Sequence, residues 1–212
     1  MNNPKSKIEN RKWNVIIAGV GGQGVLLISE LLARAAIAAG CDAKQTEIHG
    51  VSQRGGSVYS HVRFGTRIYS PLITPGEADV ILGLEKLEAL RFAPYLKPAG
   101  LCLVNDYEVI PRSAGSAANH YPHQAIKYLQ GKGIRVVDLP ATKLATELDN
   151  VRLTNTALLG ALSFYLPLPE HIWLEVFEQR IPAHVLTINR RSFALGRELA
   201  GEHEKLSVIS EQ

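Results

Sequence analysis

The sequence predicts an α/β protein: a three-layer Rossmann-like domain with a mostly parallel sheet, a β-hairpin insertion and a helical C-terminal part. Three observations carry that expectation. A short apolar run, Val15–Ala18, ends in a glycine-rich turn and gives way to helical periodicity. Apolar runs and helical stretches then alternate through the middle of the chain. From Ala141 onward the pattern is mainly helical.

Val15–Ala18 reads as a buried parallel strand, because a strand covered on both faces needs no polar alternation. From Gln23 to Ala39 the spacing is helical, with Leu27, Leu31 and Ala35 on one face and Gly40 as the stop. Ala43–Ile48 predicts a second strand and completes a β–α–β unit. Residues 49–65, HGVSQRGGSVYSHVRFG, open as a polar loop and end in alternation. Val58, Ser60, Val62 and Phe64 share one face; Tyr59, His61 and Arg63 share the other, as in a half-exposed strand. Gly65-Thr66-Arg67 is expected to turn the chain back into Ile68–Ile73 as a hairpin. Ala78–Leu84 reads as a strand, Glu85–Leu96 as a helix, Lys97–Gly100 as a turn and Leu101–Asn105 as a strand. A loop over 111–123, a short helix near 124–130 and a strand at Ile134–Leu139 follow. Helices are expected near 141–149, 154–165, 169–180 and 184–201. No repeat or linker marks a boundary. The expected organisation is a polar, frayed tail at 1–13, one domain over 14–203 and a short tail at 204–212.

A chain of 212 residues is long enough for one sizeable core. Its 46% hydrophobic and 20% charged residues are ordinary for a globular protein. The net charge of +3 is carried by scattered basic residues, too weak a bias to argue for nucleic acid or a membrane. No apolar run reaches the roughly 18 residues of a membrane span, and residues 1–13 lack the apolar centre of a signal peptide. These features fit a cytoplasmic address. Cys41 and Cys102 read as buried, reduced thiols, with a disulfide or a reactive thiol as alternatives. An iron–sulfur cluster takes about four cysteine ligands. Two cysteines cannot supply them, so any cluster belongs to a partner.

Two glycine motifs carry the chemistry. Gly19-Val20-Gly21-Gly22-Gln23-Gly24 satisfies G-x-G-x-x-G between a strand and a helix. Glycines let the backbone turn tightly and approach a ligand, and the helix start offers free amides to an anion. Glu47, near the end of the second strand, keeps a dinucleotide reading open beside another anion or a purely structural turn. The second motif, Gln53-Arg54-Gly55-Gly56-Ser57, is not needed by an ordinary dinucleotide fold. Its glycines clear space beside Arg54, whose planar fork suits phosphate or carboxylate. Solvated arginines around a glycine bulge are the alternative. His49 and His61 lack any orienting carboxylate at readable spacing, so no catalytic residue is assigned. His120 and His123 make a poor metal site, and none is assigned.

GVGGQG at 19–24 followed by EIHGVSQRGGSVYSHVRFG at 47–65 resembles the gamma-domain segment of 2-oxoacid:ferredoxin oxidoreductases. The form with His49-Gly50, Gln53 to Ser57 and Ser60 to Arg63 is most similar to the beta subunits of the indolepyruvate type. Residues 78–100, 154–162 and 189–199 continue the likeness. The resemblance implies oxidative decarboxylation of a 2-oxoacid, an aryl pyruvate in this type, to an acyl-CoA with reduction of ferredoxin. It also implies a large alpha subunit that holds thiamine diphosphate, magnesium and 4Fe-4S clusters, with coenzyme A as co-substrate and no cofactor on this chain alone. The matching positions are Gly19, Gly21, Gly22, Gln23 and Gly24, then His49, Gly50, Gln53, Arg54, Gly55, Gly56, Ser57, Ser60, His61 and Arg63. The first group is expected to form an anion-friendly turn. The second is expected near the partner and the path of CoA or substrate. A stand-alone NAD(P)-dependent oxidoreductase and a non-catalytic assembly protein of the same fold remain the alternatives.

Overall fold

Strands that are apolar on both faces need cover on both sides, and the computed structural model supplies it. It describes residues 11–49, 56–110 and 121–210. In chain order the elements are β1 (Trp13–Val20), α1 (Val25–Ala38), β2 (Asp42–His49), β3 (Ser57–Gly65), β4 (Ala78–Gly83), α2 (Lys86–Phe92) and β5 (Leu96–Asn105). Then come α3 (Ala125–Gly131), β6 (Arg135–Leu139), α4 (Ala141–Glu147), α5 (Thr154–Tyr165), α6 (Glu170–Arg180) and α7 (Ala183–Ser210).

The six strands form one sheet in the order β2-β3-β1-β4-β5-β6. β1, β4, β5 and β6 are parallel neighbours; β3 runs antiparallel to both β1 and β2. Alternate residues of each strand point to opposite faces. Val15, Ile17, Val62, Phe64, Leu82 and Leu103 pack under α1, α5, α6 and α7, around Ile28, Leu158, Trp173, Phe177 and Phe193. Ile16, Ala18, Ile81, Cys102 and Val104 pack on the other face against Ala89 and Phe92 of α2 and Leu129 of α3. The result is the expected three layers, with a mostly parallel sheet and a largely helical second half.

Three elements depart from the sequence reading. The hairpin is formed by β2 and β3, paired from Asp42↔Gly65 to His49↔Val58, not by β3 and Ile68–Ile73. Residues 68–73 have no ladder because side chains take their backbone groups. Ile68 N–H donates to Asp42 at 2.7 Å, Ile73 N–H to His61 Nδ1 at 3.0 Å, and the carbonyls of Ser70 and Leu72 accept from Arg63. Pro71 has no amide to offer a partner strand. Second, the helix expected over Glu85–Leu96 ends at Phe92 and continues as a 3₁₀ turn, Ala93–Tyr95. The expected turn at Lys97–Gly100 is instead part of β5, where a register shift accommodates Ala99 at φ 60°. Third, α7 runs on to Ser210, past the expected end near 201. Most of the expected N-terminal tail lies outside the described residues. Among the described residues no helix is long and apolar enough to cross a membrane.

Candidate functional site at the glycine turn

The turn between β1 and α1 stands at the carboxyl end of β1, where α1 leads towards one side of the sheet and β4 lies on the other. Such a switch point in an open parallel sheet leaves a crevice for ligands. Gly22 (φ 99°) and Gly24 (φ 80°) hold left-handed backbone that other residues rarely adopt. Gln23 folds back on the turn: its side-chain Oε1 accepts from Val20 N–H at 2.7 Å, and its backbone N–H donates to the Val20 carbonyl at 3.0 Å. Gln23 is therefore a clasp within the loop. Ile28 N–H closes the first α1 bond on the Gly24 carbonyl at 3.2 Å, so the amides ahead of it face the turn.

The second glycine motif meets the first here. Gly21 N–H donates to the Gly56 carbonyl at 2.9 Å, and Ser57 lies opposite Val20 in the ladder. Ser57 Oγ–H donates to Glu88 of α2. Gln53, Arg54 and Gly55 lie outside the described residues. The backbone of His49 pairs with Val58 at the end of β2.

Across the turn is a cavity of about 240 Å³, lined by Gly22, Gln23, Leu84, Asn105, Tyr107, Thr142, Val151, Arg152, Thr154 and Asn155. Two long helices begin on it: α1 through Gly22 and Gln23, α5 through Thr154 and Asn155. Each start turns a positive dipole end to the cavity. α1 also offers free amides, whereas ahead of α5 a 3₁₀ turn, Val151–Leu153, takes Thr154 N–H on the Val151 carbonyl, and Asn150 Oδ1 takes Arg152 N–H at 3.1 Å. Asn155 packs so closely on Gly24 that a Cβ there would stand 2.2 Å from its Nδ2. Buried Asn105 ties the floor together. Its Nδ2 donates to the Leu84 carbonyl at 3.1 Å and to Thr142 Oγ1 at 2.8 Å, and its Oδ1 accepts from Thr142 N–H at 3.2 Å. The Arg152 side chain is exposed, and no ion pair engages it among the described residues. Tyr107 and Val151 add an exposed apolar rim.

Beside the cavity, the start of α2 is strongly charged. Lys86 Nζ pairs with Asp106 at 2.6 Å and Glu108 at 3.1 Å. Burial works to lower the Lys86 pKa, but those two bonds outweigh it and hold the ammonium above its ordinary value. Tyr121 donates to buried Glu85, and burial followed by that contact pushes its phenol well up. Burial also raises Glu88, against the pull of Ser57 and Arg91.

His61 and Arg63 are not brought to this cavity. His61 lies opposite Ile16 and Arg63 opposite Asn14, four and six residues back from Val20, or roughly 13 and 20 Å along the strand. His61 is buried against Tyr59 and Tyr95, with Nδ1 accepting from Ile73. Burial, then the charge of Arg63, lowers its pKa to about 4, so the ring is neutral. Arg63 clamps Asn14 Oδ1 at 2.9 Å and the 70–72 carbonyls. Glu47 belongs to β2, which β3 separates from β1. That puts it about 10 Å from the strand bearing the turn, two strand spacings instead of the one spacing of a dinucleotide fold. Asn105, Arg152, Asn155 and Glu88 went unseen in the sequence. A capping pattern, Glu85-x-x-Glu88, and an asparagine ending an apolar strand were the available signals for two of them.

The profile of the pyruvate ferredoxin/flavodoxin oxidoreductase family matches residues 14–199. The chain is 39% identical over 197 residues to the indolepyruvate oxidoreductase subunit IorB of Thermococcus kodakarensis, covering 91% of this chain and 98% of that protein. The subunit of the same name from Pyrococcus horikoshii is 38% identical, with the same coverage. Among solved structures, a keto/oxoacid ferredoxin oxidoreductase gamma subunit from Geobacter sulfurreducens superposes with a TM-score of 0.67 at 21% identity, covering 89% of this chain and 98% of that one. A 2-oxoglutarate:ferredoxin oxidoreductase from Magnetococcus marinus, with 2-oxoglutarate, coenzyme A and succinyl-CoA bound, gives 0.71 at 22% identity over 92% of this chain and 32% of its own. At these identities the two structures establish a shared fold.

Proposed function

Because this chain belongs to the pyruvate ferredoxin/flavodoxin oxidoreductase family, we propose that it is the small subunit of a complex that oxidatively decarboxylates an aryl pyruvate, such as indolepyruvate, to an acyl-CoA while reducing ferredoxin. The substrate class rests on the relatives named as indolepyruvate oxidoreductase subunits, whose length this chain spans almost fully. Residues 14–203 serve as one gamma-type domain of that complex.

The chain's own task is to bind and orient, with the hard chemistry left to cofactors on the large partner. Its two cysteines do not fit a cluster: Cys102 is buried within β5, and Cys41 precedes β2. The large subunit holds thiamine diphosphate, magnesium and the 4Fe-4S clusters. A cytoplasmic location follows from the same role.

The observation that carries the reading is the convergence of two helix starts, the glycine turn and Arg152 on one cavity at the carboxyl ends of the strands. Coenzyme A is the phosphate-bearing reactant of the proposed reaction, and its phosphates match the α1 amides, the two helix dipoles and the Arg152 guanidinium. Arg54, three residues before Ser57 in sequence, supplies a further guanidinium suited to phosphate.

The test is steady-state kinetics of the reconstituted two-subunit complex. Arg152→Ala and Arg54→Ala should each raise the KM for CoA about tenfold, the cost of a charge-assisted hydrogen bond, while subunit association persists. Unchanged CoA affinity in both variants would discard the assignment.

A further inference from the structure

We propose that Glu88 is a positioning residue for the glycine turn: its carboxylate holds Ser57 and, through the Gly56–Ser57 corner, fixes the turn beside the cavity. The inference rests on the CoA reading above and adds to it the residue that keeps the site in shape.

Glu88 occupies the third helical position of α2, behind the N-cap Glu85. Glu85 Oε1 accepts from Glu88 N–H at 2.6 Å, which is half of a capping box. In a complete box the side chain of the third residue reaches back to the amide of the cap. Here it reaches out of the helix to Ser57. The helix thus gives up a local bond for a contact 31 residues away in sequence.

The placement is costly. Glu88 is 2% exposed, and Glu85, another buried carboxylate, is next to it. A buried carboxylate is retained at a penalty that an apolar residue would avoid. Its cationic partner Arg91, at 3.2 Å, has a half-exposed side chain and offsets little. Burial accordingly raises the Glu88 pKa, with Ser57 and Arg91 opposing. What the carboxylate secures is a corner. Ser57 is opposite Val20, and Gly56 accepts from Gly21 N–H at 2.9 Å. A shift of Ser57 moves the Gly56 carbonyl, and with it the amide that orients the turn.

The test compares Glu88→Ala, Glu88→Gln, Ser57→Ala and the Glu88→Ala/Ser57→Ala double variant in the reconstituted complex, with Arg152→Ala as reference. Glu88→Ala and Ser57→Ala should each raise the KM for CoA roughly five- to tenfold, as expected for one hydrogen bond to a charged group, with kcat at saturating CoA within about twofold of the parent. The double variant should be no worse than the worse single one. Glu88→Gln, whose amide oxygen still accepts from Ser57, should stay within about twofold of the parent. If Glu88→Ala fails to fold, Ser57→Ala decides alone. An unchanged KM in folded Glu88→Ala or in Ser57→Ala, or additive effects in the double variant, would overturn the proposal, provided Arg152→Ala raises KM. An unchanged KM in Arg152→Ala would instead defeat the underlying CoA reading.

Discussion

Gly21 donates its amide to the carbonyl of Gly56 at 2.9 Å, and that bond joins two glycine motifs separated by a helix and a strand. The turn is therefore shaped from outside its own sequence. Gln23 clasps it from within, Asn155 presses on it from α5, and β3 holds its far side.

Gly24 is the most constrained position of the turn. It combines φ 80° with a Cβ position 2.2 Å from Asn155 Nδ2. Gly22 has φ 99° and open space around it. Gly22→Ala should cost about 1 kcal/mol from backbone strain alone, and Gly24→Ala about 2 kcal/mol or more. Thermal or denaturant unfolding ranks the two; equal losses would contradict an Asn155 side chain held in place over Gly24.

α5 and α7 cross backbone to backbone. A Cβ on Gly196 would stand 1.9 Å from the Ala157 carbonyl, whereas one on Gly201 would meet only the Phe164 ring at 3.4 Å. Gly196→Ala should therefore destabilise by about 3 kcal/mol through overpacking. Gly201→Ala should stabilise by about 0.5 to 1 kcal/mol, the helical preference of alanine over glycine. Chemical denaturation of the two variants reads the opposite signs.

His61 gives the acid limb of stability a definite direction. Its pKa falls from 6.5 to about 4 on folding, so the unfolded chain binds more protons between those values. Its stabilising contribution is complete above 6.5 and is lost as pH drops towards 4. His61→Gln, which still accepts from Ile73 N–H, should show a shallower fall in Tm from about pH 7 to about pH 4.5. Parallel curves for the two proteins would contradict a buried neutral ring.

Much of this was legible before the structure. Apolar runs marked the parallel strands, because burial on two faces leaves no polar alternation, and β1, β4 and β6 lie where those runs predicted. The glycine turn was visible as a motif. Strand order was not: the alternation in residues 57–65 shows that β3 exists, but nothing local says that it inserts between β1 and β2. The 68–73 segment misled because its apolar residues resemble a strand, while Asp42, His61 and Arg63 take its backbone bonds. Arg63 itself looked like a site residue since its motif is contiguous with Ser57. A strand carries alternate residues steadily away from its end, and Arg63 finishes opposite Asn14.

Arg63→Lys tests that separation. Lysine cannot reproduce a planar fork that bonds Asn14, Ser70 and Leu72 together. The variant should lose about 1 to 2 kcal/mol of stability, with the KM for CoA unchanged. A KM rise like that expected for Arg152→Ala would place Arg63 in the site after all.

The most direct measurement of the central claim is ferredoxin reduction by indolepyruvate and CoA, assayed with this chain alone, with the proposed large subunit alone, and with both. Turnover that requires both polypeptides is the predicted result. Full turnover by either one alone would contradict the account.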